Sequence, residues 1–332
     1  LAQVFTQSKS FAANPVIGSR LLNRAGLHVA RVIAAHAMRR VRLLFIAPFI
    51  EPEKRAEFWR NGFIVVENFL DPQEFAVLTR QIEEKAKDLP ARECVQGDTL
   101  TQRVLLDEKA CEKLPAVKAL TENRQYRRLS AYVAASWKRP LYYIQRIRNG
   151  YNPGAPDPQK VLHADTFHPT MKAWFFLDEV TPDMGPFTYS PGSHRLTWNR
   201  IKWEYRQSLK GRDLDNSYAR RGSLRADDHD LNEMGYAPRK SLAVKANTLV
   251  VADTHGFHCR GQATGKVSRL ELWAYCRTNP FNPFPGLGLS LVSRIENAVA
   301  KKYWQHEDKK AAARGEQSSW HVIPGTEMLS GG

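Results

Sequence analysis

The sequence predicts a mainly β core with helices on either side of it. Three short segments, residues 141–147, 247–253 and 269–274, are rich in apolar, β-branched and aromatic residues, which favour strands. Two longer segments, residues 20–45 and 287–304, repeat apolar residues at helical spacing. The predicted strands therefore occupy the middle of the chain, and the predicted helices lie towards its ends.

The first helical segment, residues 20–45, has an apolar and a basic face. Its apolar stripe consists of Leu21, Leu22, Ala25, Val29, Val32, Ile33 and Val41. The opposite face carries Arg20, Arg24, His28, Arg31, Arg39 and Arg42. Such a basic amphipathic helix is typical of an interfacial membrane anchor, although its arginines interrupt any run long enough to span a bilayer. Two other interpretations stay open: a helix packed on the core with its arginines in water, and a targeting presequence.

A further helix is predicted to begin at Asp71. Asp71 is a favourable N-cap, Pro72 suits the first helical turn, and Glu74 can complete a capping box. This pattern predicts where the helix starts and leaves its end open.

His163 and Asp165 lie two residues apart among apolar, aromatic and β-branched neighbours. Alternate side chains of a strand project to the same face, so both could bind one metal ion. A third ligand is expected after the strand at 247–253, which leads into His255 and His258. These histidines are three residues apart, so only one of them points inward if the strand continues. Two histidines and one carboxylate form the facial triad of iron(II) oxygenases, which leaves three coordination positions for a keto acid and dioxygen.

Arg269 favours His258 as the third ligand. A 2-oxoglutarate cosubstrate has a distal carboxylate that a guanidinium can bind through two parallel hydrogen bonds. Arg269 follows His258 by eleven residues and begins the predicted strand 269–274. The same count from His255 reaches Lys266, which is less suited to bidentate binding.

Each candidate has a plain structural alternative. A His-x-Asp triplet occurs by chance in about one of two chains of this histidine content, and a buried histidine is more often hydrogen-bonded in a core than bound to metal. The triplet, the late histidine and the following arginine, in this order, together favour a metal site. Gln145 and Trp174 are further candidates for the cosubstrate pocket. Their alternatives are a surface position for Gln145 and a core position for Trp174.

Several motifs resemble those of the phytanoyl-CoA dioxygenase family, over roughly residues 52–280. Residues 58–70 resemble that family's first helix, glycine and strand. Residues 174–178 are followed by Asp-Met-Gly-Pro at 183–186 and by Pro-Gly-Ser-His at 191–194, which match the family's strand and two turns. Two departures are Met184 in place of the turn asparagine and Gly-Phe-His-Cys-Arg-Gly in place of a His-Gly-Ser run. The second departure keeps His255 open as a ligand.

The resemblance implies a double-stranded β-helix, a cupin-like jelly roll, over residues 51–280. Its barrel mouth would hold Fe(II) and 2-oxoglutarate, with His163, Asp165 and His258 as the catalytic metal ligands and Arg269 at the cosubstrate. It also implies that O2 and 2-oxoglutarate are consumed together, which yields succinate, carbon dioxide and a hydroxylated carbon. The protein would then have to position a C–H bond and exclude water, without a general base.

Residues 198–240 form a polar insertion rich in arginine, lysine and aromatic residues. Loops at a barrel mouth commonly determine specificity, so this insertion is predicted to cover the site. Arg220 and Arg221 are predicted to bind carboxylate or phosphate groups of the substrate. Further candidates for contacts with substrate anions are His168, Arg195 and Arg260.

The chain of 332 residues has a formal net charge of +15 at pH 7 and a pI of about 9.7. This charge predicts an anionic partner, which could be a lipid surface, a nucleic acid or a phosphorylated substrate. Four cysteines without Cys-x-x-Cys spacing favour a reduced, cytoplasmic setting over a disulfide framework. No pattern in the sequence determines the oligomeric state.

Three regions are predicted. They are a basic amphipathic extension (1–50), the jelly-roll domain (51–280) and a C-terminal helical extension (281–332). The last region combines lysines with Tyr303 and Trp304. With the first region it suggests a peripheral contact with the inner face of the cytoplasmic membrane.

One functional hypothesis and two alternatives follow. The hypothesis is an Fe(II)- and 2-oxoglutarate-dependent dioxygenase that hydroxylates an unactivated carbon of an anionic, membrane-associated compound such as a glycolipid. Among reactions that the resemblance makes conceivable, hydroxylation of the acidic lipopolysaccharide inner-core sugar Kdo on a lipid A precursor fits best. One alternative is an oxygenase of a small soluble metabolite or of nucleic acid, with nucleic acid less favoured. The other is a non-catalytic jelly-roll binding protein.

Overall fold

The computed structural model describes residues 2–329. Its strands are β1 (Phe63–Val66), β2 (Ala91–Gln96), β3 (Thr99–Leu105), β4 (Leu141–Asn149), β5 (Met171–Phe176), β6 (Phe187–Tyr189), β7 (Lys240–Ser241), β8 (Thr248–Asp253), β9 (His258–Arg260), β10 (Val267–Cys276) and β11 (His321–Ile323). Eight of them form an antiparallel sheet in the order β1-β8-β5-β10-β4-β3-β2-β11. The remaining three form a smaller sheet in the order β7-β6-β9. The predicted central strands are confirmed as β4, β8 and β10.

The two sheets face each other. Side chains from both sheets meet in one apolar cluster, in which the rings of Trp174 on β5 and Phe187 on β6 have centroids 4.4 Å apart. Two facing antiparallel sheets with a cavity between them are the arrangement of a jelly roll. The predicted double-stranded β-helix is therefore confirmed.

The two sheets are flanked by α-helices, several of which cover the outer face of the large sheet. In chain order they are α1 (Arg20–Arg24), α2 (Leu27–Ile46), α3 (Pro52–Asn61), α4 (Pro72–Lys85), α5 (Glu108–Lys113), α6 (Pro115–Glu122), α7 (Arg124–Ala134), α8 (Trp198–Leu209), α9 (Ser217–Arg220), α10 (Asp228–Met234), α11 (Ser290–Ala312) and α12 (Gly325–Leu329). Side chains of β5 alternate between the two faces of the sheet. Ala173 and Phe175 pack among residues of the covering helices, whereas Trp174 and Phe176 face the smaller sheet. One face of the large sheet is thereby left for the site.

Two local signals determine the chain path around β1. The Asp71 side chain accepts hydrogen bonds from the backbone N–H groups of Gln73 and Glu74, which confirms the predicted start of α4. Gly62, between α3 and β1, has a φ of 90°. A Cβ at Gly62 would lie 2.5 Å from the Tyr189 hydroxyl, so this turn requires glycine.

The N-terminal helix is buried on the side that the sequence analysis assigned to water or to a membrane. Gly26, with a φ of 94°, divides the predicted segment into α1 and α2. Arg31, Arg39 and Arg42 are only 4%, 2% and 2% exposed, whereas the apolar Leu44 is 74% exposed. The expectation that these arginines face outwards is therefore wrong.

Specific partners explain why the three arginines are buried. Arg31 donates to backbone carbonyls in the N-terminal loop, and Arg42 donates to the carbonyl of Ala135 at 2.8 Å. Arg39 forms an ion pair with Asp253, with 2.7 Å between Nη1 and Oδ2. Buried charges are tolerated where hydrogen bonds and an opposite charge replace water. Because Asp253 ends β8, the helix α2 is tied to the strand that leads into the candidate site.

Replacing Arg39 by methionine is expected to lower the free energy of unfolding by about 3–5 kcal/mol, because the change leaves the buried Asp253 carboxylate without its cation. Chemical denaturation of the variant and of the wild type measures this difference. The control is Arg40→Met, which changes the next arginine of α2, an exposed one, and is expected to alter the free energy by less than about 0.5 kcal/mol. Equal stability of the two variants would contradict the prediction.

The C-terminal segment returns to the large sheet. Its helix α11 begins and ends later than the predicted 287–304, and β11 then pairs with β2, with His321 opposite Glu93. Leu291, Ile295 and Val299 of α11 are 62%, 55% and 60% exposed. Across the described residues, no helix combines the length and the apolar character that crossing a bilayer requires.

Candidate active site

A cavity of about 430 Å³ lies between the two sheets. Its aromatic walls include Tyr143, Trp174 and Trp273 of the large sheet and Phe187 of the small sheet. The pairing register places Trp273 opposite both Tyr143 and Trp174, so inward-facing side chains of β4, β5 and β10 form one row. These rings give the cavity apolar walls on both sheets.

Backbone pairing brings His163 and His258 together. His163 lies in an isolated bridge rather than in the regular strand that the sequence predicted. The N–H of each of the two residues donates to the carbonyl of the other at 2.9 Å. Side chains of residues paired in this way project to the same face, and the two ring centroids are 4.5 Å apart. The N–H of Asp165 donates to the Thr254 carbonyl at 2.9 Å, which holds the carboxylate beside the two rings.

The three predicted ligands converge on one point. Asp165 Oδ1 lies 3.7 Å from His163 Nε2 and 3.9 Å from His258 Nε2. All three side chains are buried, and their ligand atoms lie within 4.8 Å of one another. Because bonds from a metal ion to nitrogen and oxygen are about 2.0–2.2 Å long, one ion between these atoms could reach all three.

Hydrogen bonds determine the tautomers of both imidazoles. Nδ1 of His163 lies 2.7 Å from the Val161 carbonyl, and Nδ1 of His258 lies 2.9 Å from the Gly256 carbonyl. A carbonyl can only accept, so each Nδ1 carries the proton and each Nε2 presents a lone pair. Neither Nε2 has a hydrogen-bond partner among the described residues. Two buried, unpartnered nitrogens beside a carboxylate fit a metal ion.

The protonation states also suit metal binding. Burial lowers the pKa of both histidines, that of His258 to about 4, so both are neutral near pH 7. Burial alone would raise the pKa of Asp165, but nearby positive charges, Lys172 first among them, hold that pKa well below its ordinary value. Lys172 Nζ lies 2.7 Å from Asp165 Oδ2. At neutral pH the site therefore offers two neutral imidazoles and one carboxylate, the donor set of a facial triad.

Two lysines that the sequence analysis missed contact Asp165. Lys172 lies in β5, and the signal that could have identified it is a charged residue in an apolar strand. Lys9, in the N-terminal loop, donates from Nζ to the backbone carbonyl of Asp165. No local pattern marks Lys9, because its contact spans 156 positions of the chain.

His255 lies apart from the three converging ligands. Its Nδ1 is 2.9 Å from the Thr166 carbonyl, and its ring packs on that of His36, with centroids 4.8 Å apart. The group of ligand atoms around Asp165 does not include it. The structure therefore brings His258, rather than His255, to His163 and Asp165.

Arg269 lines the cavity with most of its donors in use. Its Nε lies 3.2 Å from the Glu271 carboxylate, and its Nη1 donates to the carbonyls of Met184 and Gly185 at 3.2 and 3.1 Å. Of the five N–H donors of a guanidinium, the two on Nη2 are left for a ligand. In this arrangement Nη2 alone is free to donate, whereas the sequence analysis expected a fork of two nitrogens.

Gln145 and Trp174 both line the cavity. Gln145 is 2% exposed, so its surface alternative is excluded. Its side-chain oxygen accepts from Arg103 Nε at 2.6 Å, and its amide donates to Glu271 at 2.5 Å. Trp174 packs on Phe187 and is at once a core residue and a wall of the cavity.

The C-terminal segment supplies one wall of the cavity, which the sequence analysis also missed. Trp304 of α11 and Trp320, just before β11, line the cavity. The Arg103 guanidinium lies 4.0 Å from the Trp273 ring centroid and 4.8 Å from that of Trp320. Contacts of α11 with β4 and the pairing of β11 with β2 bring these residues to the cavity, so local sequence patterns do not reveal the wall.

The insertion 198–240 does not contribute to the described lining of the cavity. It folds into α8, α9 and α10, and α8 packs against α1 and α2. Arg220 donates to the Leu214 carbonyl within its own loop, and Arg221 is exposed. The prediction that these two arginines bind substrate in the cavity is therefore wrong, because the helices hold them elsewhere. The basic residues that do line the cavity are Arg92, Arg103, Lys172, Arg260, Arg269 and Arg277.

The other predicted anion contacts differ in position. Arg260 lines the cavity and pairs with Asp157, with 2.6 Å between Nη1 and Oδ2. His168 and Arg195 lie outside the described lining. Arg195 lines a different cavity, beside His36 and His194.

Comparison with known proteins gives one family and a set of distant structures. The family model described as phytanoyl-CoA dioxygenase (PhyH) matches residues 58–261. No curated protein matches the chain. One similar solved structure is the epimerase SnoN in complex with Fe³⁺, alpha ketoglutarate and nogalamycin RO, with 20% identity over 67% of this chain and 81% of that chain and a TM-score of 0.44. Another is HygX from Streptomyces hygroscopicus with nickel and 2-oxoglutarate bound, with 17% identity, coverages of 68% and 86% and a TM-score of 0.42. A third is EctD from S. alaskensis with bound Fe, with 18% identity, coverages of 68% and 76% and a TM-score of 0.42.

Proposed function

The chain belongs to the phytanoyl-CoA dioxygenase family of Fe(II)- and 2-oxoglutarate-dependent oxygenases, and from this premise we propose that it hydroxylates an unactivated carbon of an anionic, membrane-associated substrate. His163, Asp165 and His258 hold the iron in this proposal. Arg269 holds the distal carboxylate of 2-oxoglutarate, with Gln145 and Trp174 lining the cosubstrate pocket. The protein acts at the inner face of the cytoplasmic membrane.

One observation supports the metal assignment above all others. The unpartnered Nε2 atoms of His163 and His258 converge with Asp165 Oδ1 on one point, in a cavity between the two sheets. A purely structural cluster would leave two buried nitrogens unsatisfied, at a cost of about 1–3 kcal/mol each. A bound metal ion removes this cost, which disfavours the alternative of a non-catalytic binding protein.

In this proposal the residues of the chain orient the Asp165 carboxylate, exclude water and hold the substrate carbon, while the bound iron and cosubstrate supply the oxidation. Iron and 2-oxoglutarate, when bound, supply the oxidative decarboxylation that couples O2 to hydroxylation of a C–H bond. Lys172 orients the Asp165 carboxylate through its 2.7 Å contact. The walls around Trp174 and Trp304 exclude water and hold the substrate carbon near the metal.

The charge of the cavity supports an anionic substrate. Six arginine and lysine residues line it. Four of them are paired with carboxylates, whereas Arg103 and Arg277 have no carboxylate within ion-pair distance among the described residues. Aromatic side chains alternate with these cations. The Arg103 guanidinium, for example, lies between the rings of Trp273 and Trp320. A compact ring that bears a carboxylate would meet both kinds of wall. We therefore keep hydroxylation of the acidic sugar Kdo on a lipid A precursor as the specific form of the proposal.

Replacing Arg269 by lysine is expected to raise the KM for 2-oxoglutarate about 10- to 100-fold, because a charge-assisted hydrogen bond contributes about 1.5–3 kcal/mol. The matched control is Arg277→Lys, which changes an exposed cation that lines the same cavity beyond the other end of β10. The control should leave the KM for 2-oxoglutarate within about twofold of the wild-type value. Equal changes in both variants would count against the assignment of Arg269.

The cofactor assignment is tested by anaerobic addition of Fe(II) and 2-oxoglutarate to the protein. We expect a weak metal-to-ligand charge-transfer band in the visible spectrum, because the keto acid chelates the iron. Without the band, the assignment of the metal site fails before any substrate is known.

The substrate proposal needs a separate test. Kdo-containing lipid A precursors, oligonucleotides and small carboxylic acids are incubated with the iron-loaded enzyme, and succinate and product masses are measured. The proposal expects a gain of one oxygen atom in the glycolipid alone. Oxidation of an oligonucleotide, with binding that weakens steeply with salt, would favour the nucleic-acid alternative instead.

A further inference from the structure

A second cavity, of about 330 Å³, lies where α2 passes α3 and the turn after β6. Side chains around it include His36, Arg39, Arg40, Trp59, His194 and Arg195. None of these residues lines the cavity that holds the three candidate iron ligands. The metal site therefore does not account for this second cavity.

The lining of the second cavity is cationic. It contains three arginines and, among the described residues, no carboxylate. The charge of Arg39 is matched by Asp253. Arg40 and Arg195 have no carboxylate within ion-pair distance in the described part of the chain. The cavity therefore carries excess positive charge that favours an anion.

Several buried nitrogens at this cavity have no hydrogen-bond partner among the described residues. They are Nε2 of His36, both ring nitrogens of His194, and Nε and Nη2 of Arg39. His194 is 1% exposed and Arg39 is 2% exposed. Buried polar nitrogens without partners are rare in folded proteins and point to a missing water or ligand. Arg39 supplies N–H donors and each neutral imidazole supplies one, so an anion with several acceptor oxygens, such as a phosphate group, would accept from them and match the charge of Arg40 and Arg195.

An apolar groove of about 580 Å³ adjoins the cavity and shares Arg40 and Trp59 with it. Its walls are formed mainly by apolar side chains of α2 and α3 and by the loop between them. They include Leu43, Leu44, Ala47, Pro52 and Ala56, and Tyr132 of α7 adds a further wall. A ligand that extends past Arg40 and Trp59 would thus pass from cationic into apolar surroundings.

Exposed apolar side chains continue from the open side of the groove. Leu44, Phe45 and Phe49, at the end of α2 and just beyond it, are 74%, 58% and 50% exposed. The ring of Phe49 packs on Trp137, with centroids 5.5 Å apart, and the Trp137 N–H donates to the Pro285 carbonyl at 2.8 Å. This contact brings in the loop that carries Phe284 and Leu287, which are 73% and 85% exposed. Exposed aromatic and aliphatic side chains beside cations are typical of surfaces that enter a bilayer interface.

We propose that the second cavity and the groove bind one anionic phospholipid, with its phosphate at Arg40, Arg195 and His194 and an acyl chain along α2 and α3. The apolar rim of Leu44, Phe45 and Phe49 enters the bilayer surface. A phospholipid fits better than free phosphate, because the groove and rim are apolar and continuous with the cationic cavity. This site is separate from the catalytic cavity. It deepens the membrane location on which the proposed function rests, and it does not depend on the iron chemistry.

The test is flotation of the full-length protein with vesicles of phosphatidylcholine alone or mixed with phosphatidylglycerol. We expect the wild type to bind the mixed vesicles and Arg40→Glu/Arg195→Glu to bind at least about tenfold more weakly, since each cation near an anionic surface contributes about 1 kcal/mol. The matched control is Arg20→Glu/Arg24→Glu, which makes the same charge change at two exposed arginines of α1, away from the cavity. The control is expected to retain most of the wild-type binding.

A second variant tests the groove and rim independently. Leu44→Glu replaces an exposed side chain, so it should fold normally, and we expect it to lose vesicle binding. If the Arg20/Arg24 control lost binding equally, the loss would result from the changed net charge of the protein rather than from this site, and the proposal would be overturned. Binding of inorganic phosphate without vesicle binding would overturn the proposal in favour of a free anion. A dimer that Leu44→Glu dissociates would overturn it in favour of a second copy of the chain. All variants should keep the charge-transfer band with iron and 2-oxoglutarate, so failure of this proposal is distinguishable from failure of the proposed function.

Discussion

His258→Ala is expected to abolish iron binding, whereas His255→Ala is expected to leave it nearly unchanged. Both histidines are buried and lie three residues apart. Only His258 directs an unpartnered Nε2 towards Asp165 Oδ1, at 3.9 Å, in a pairing that also holds His163 opposite it. His255 packs on His36 instead.

The expected magnitudes follow from the role of each residue. Changes in residues that only orient metal ligands cost about 10- to 100-fold in affinity, so loss of a ligand should exceed about 100-fold. Turnover of 2-oxoglutarate to succinate should fall with iron affinity in His258→Ala. In His255→Ala we expect a loss of stability, because the change opens a space beside His36, but less than tenfold change in iron affinity.

Iron affinity is measured by titrating Fe(II) into protein that a chelator has freed of metal. Stability is measured by thermal unfolding of each variant. Circular dichroism of the two variants establishes that each is folded before its affinity is compared. If His255→Ala lost iron while a folded His258→Ala kept it, the assignment of the third ligand would be reversed. If both kept it, the metal centre would lie elsewhere.

Lowering the pH from 7 to 5 is expected to destabilise the iron-free protein by several kcal/mol. Burial lowers the pKa of a set of histidines: His36, His163, His168, His194, His255 and His258. Two of these pKa values are about 3 for His168 and about 4 for His258. Each histidine is therefore neutral when folded and becomes protonated below pH 6.5 when unfolded.

The sign of the effect follows from the number of protons bound. Between about pH 6.5 and pH 4 the unfolded chain binds more protons than the folded chain, so the free energy of unfolding falls as the pH falls. Each fully shifted histidine contributes about 2 kcal/mol between pH 7 and pH 5. Asp165 behaves differently, because its pKa is lowered and its contribution is lost only below about pH 4. A few such histidines suffice to remove much of the roughly 5–15 kcal/mol that stabilises a typical domain.

Urea denaturation of the metal-free protein at pH 7, 6 and 5 measures how the free energy of unfolding depends on pH. His36→Gln/His194→Gln should make it shallower, because glutamine does not titrate. His229→Gln, at an exposed position, is the control and should not alter the slope. A free energy of unfolding that stays constant from pH 7 to pH 5 would show that these histidines are not held neutral in the folded state.

The choice between His255 and His258 marks where sequence reasoning reached its limit. Counting along a strand assumes that the strand continues, but β8 ends at Asp253 and His255 lies in the turn before β9. The sequence therefore did not determine which of the two histidines points inward, because that depends on the conformation of the turn. The spacing to Arg269 pointed to the histidine that the structure brings to Asp165.

The buried arginines of α2 show a different limit. Hydropathy assigns arginine to water, so residues 20–45 were interpreted as a basic outer face. In the fold, Arg39 meets Asp253 across 214 positions of the chain, and Arg42 meets the carbonyl of Ala135. No pattern within a single helix contains the identity of such distant partners.

The sequence by itself determined the fold class, the central strands and the set of residues able to share one metal ion. These features depend on residue type and short spacing, which are properties of the local chain. Only the tertiary structure decided which histidine joins Asp165, that Lys9 and Lys172 contact it, and that Trp304 and Trp320 wall the cavity. These outcomes depend on contacts between segments far apart in the chain, and such contacts exist only when the sheets close and the helices pack.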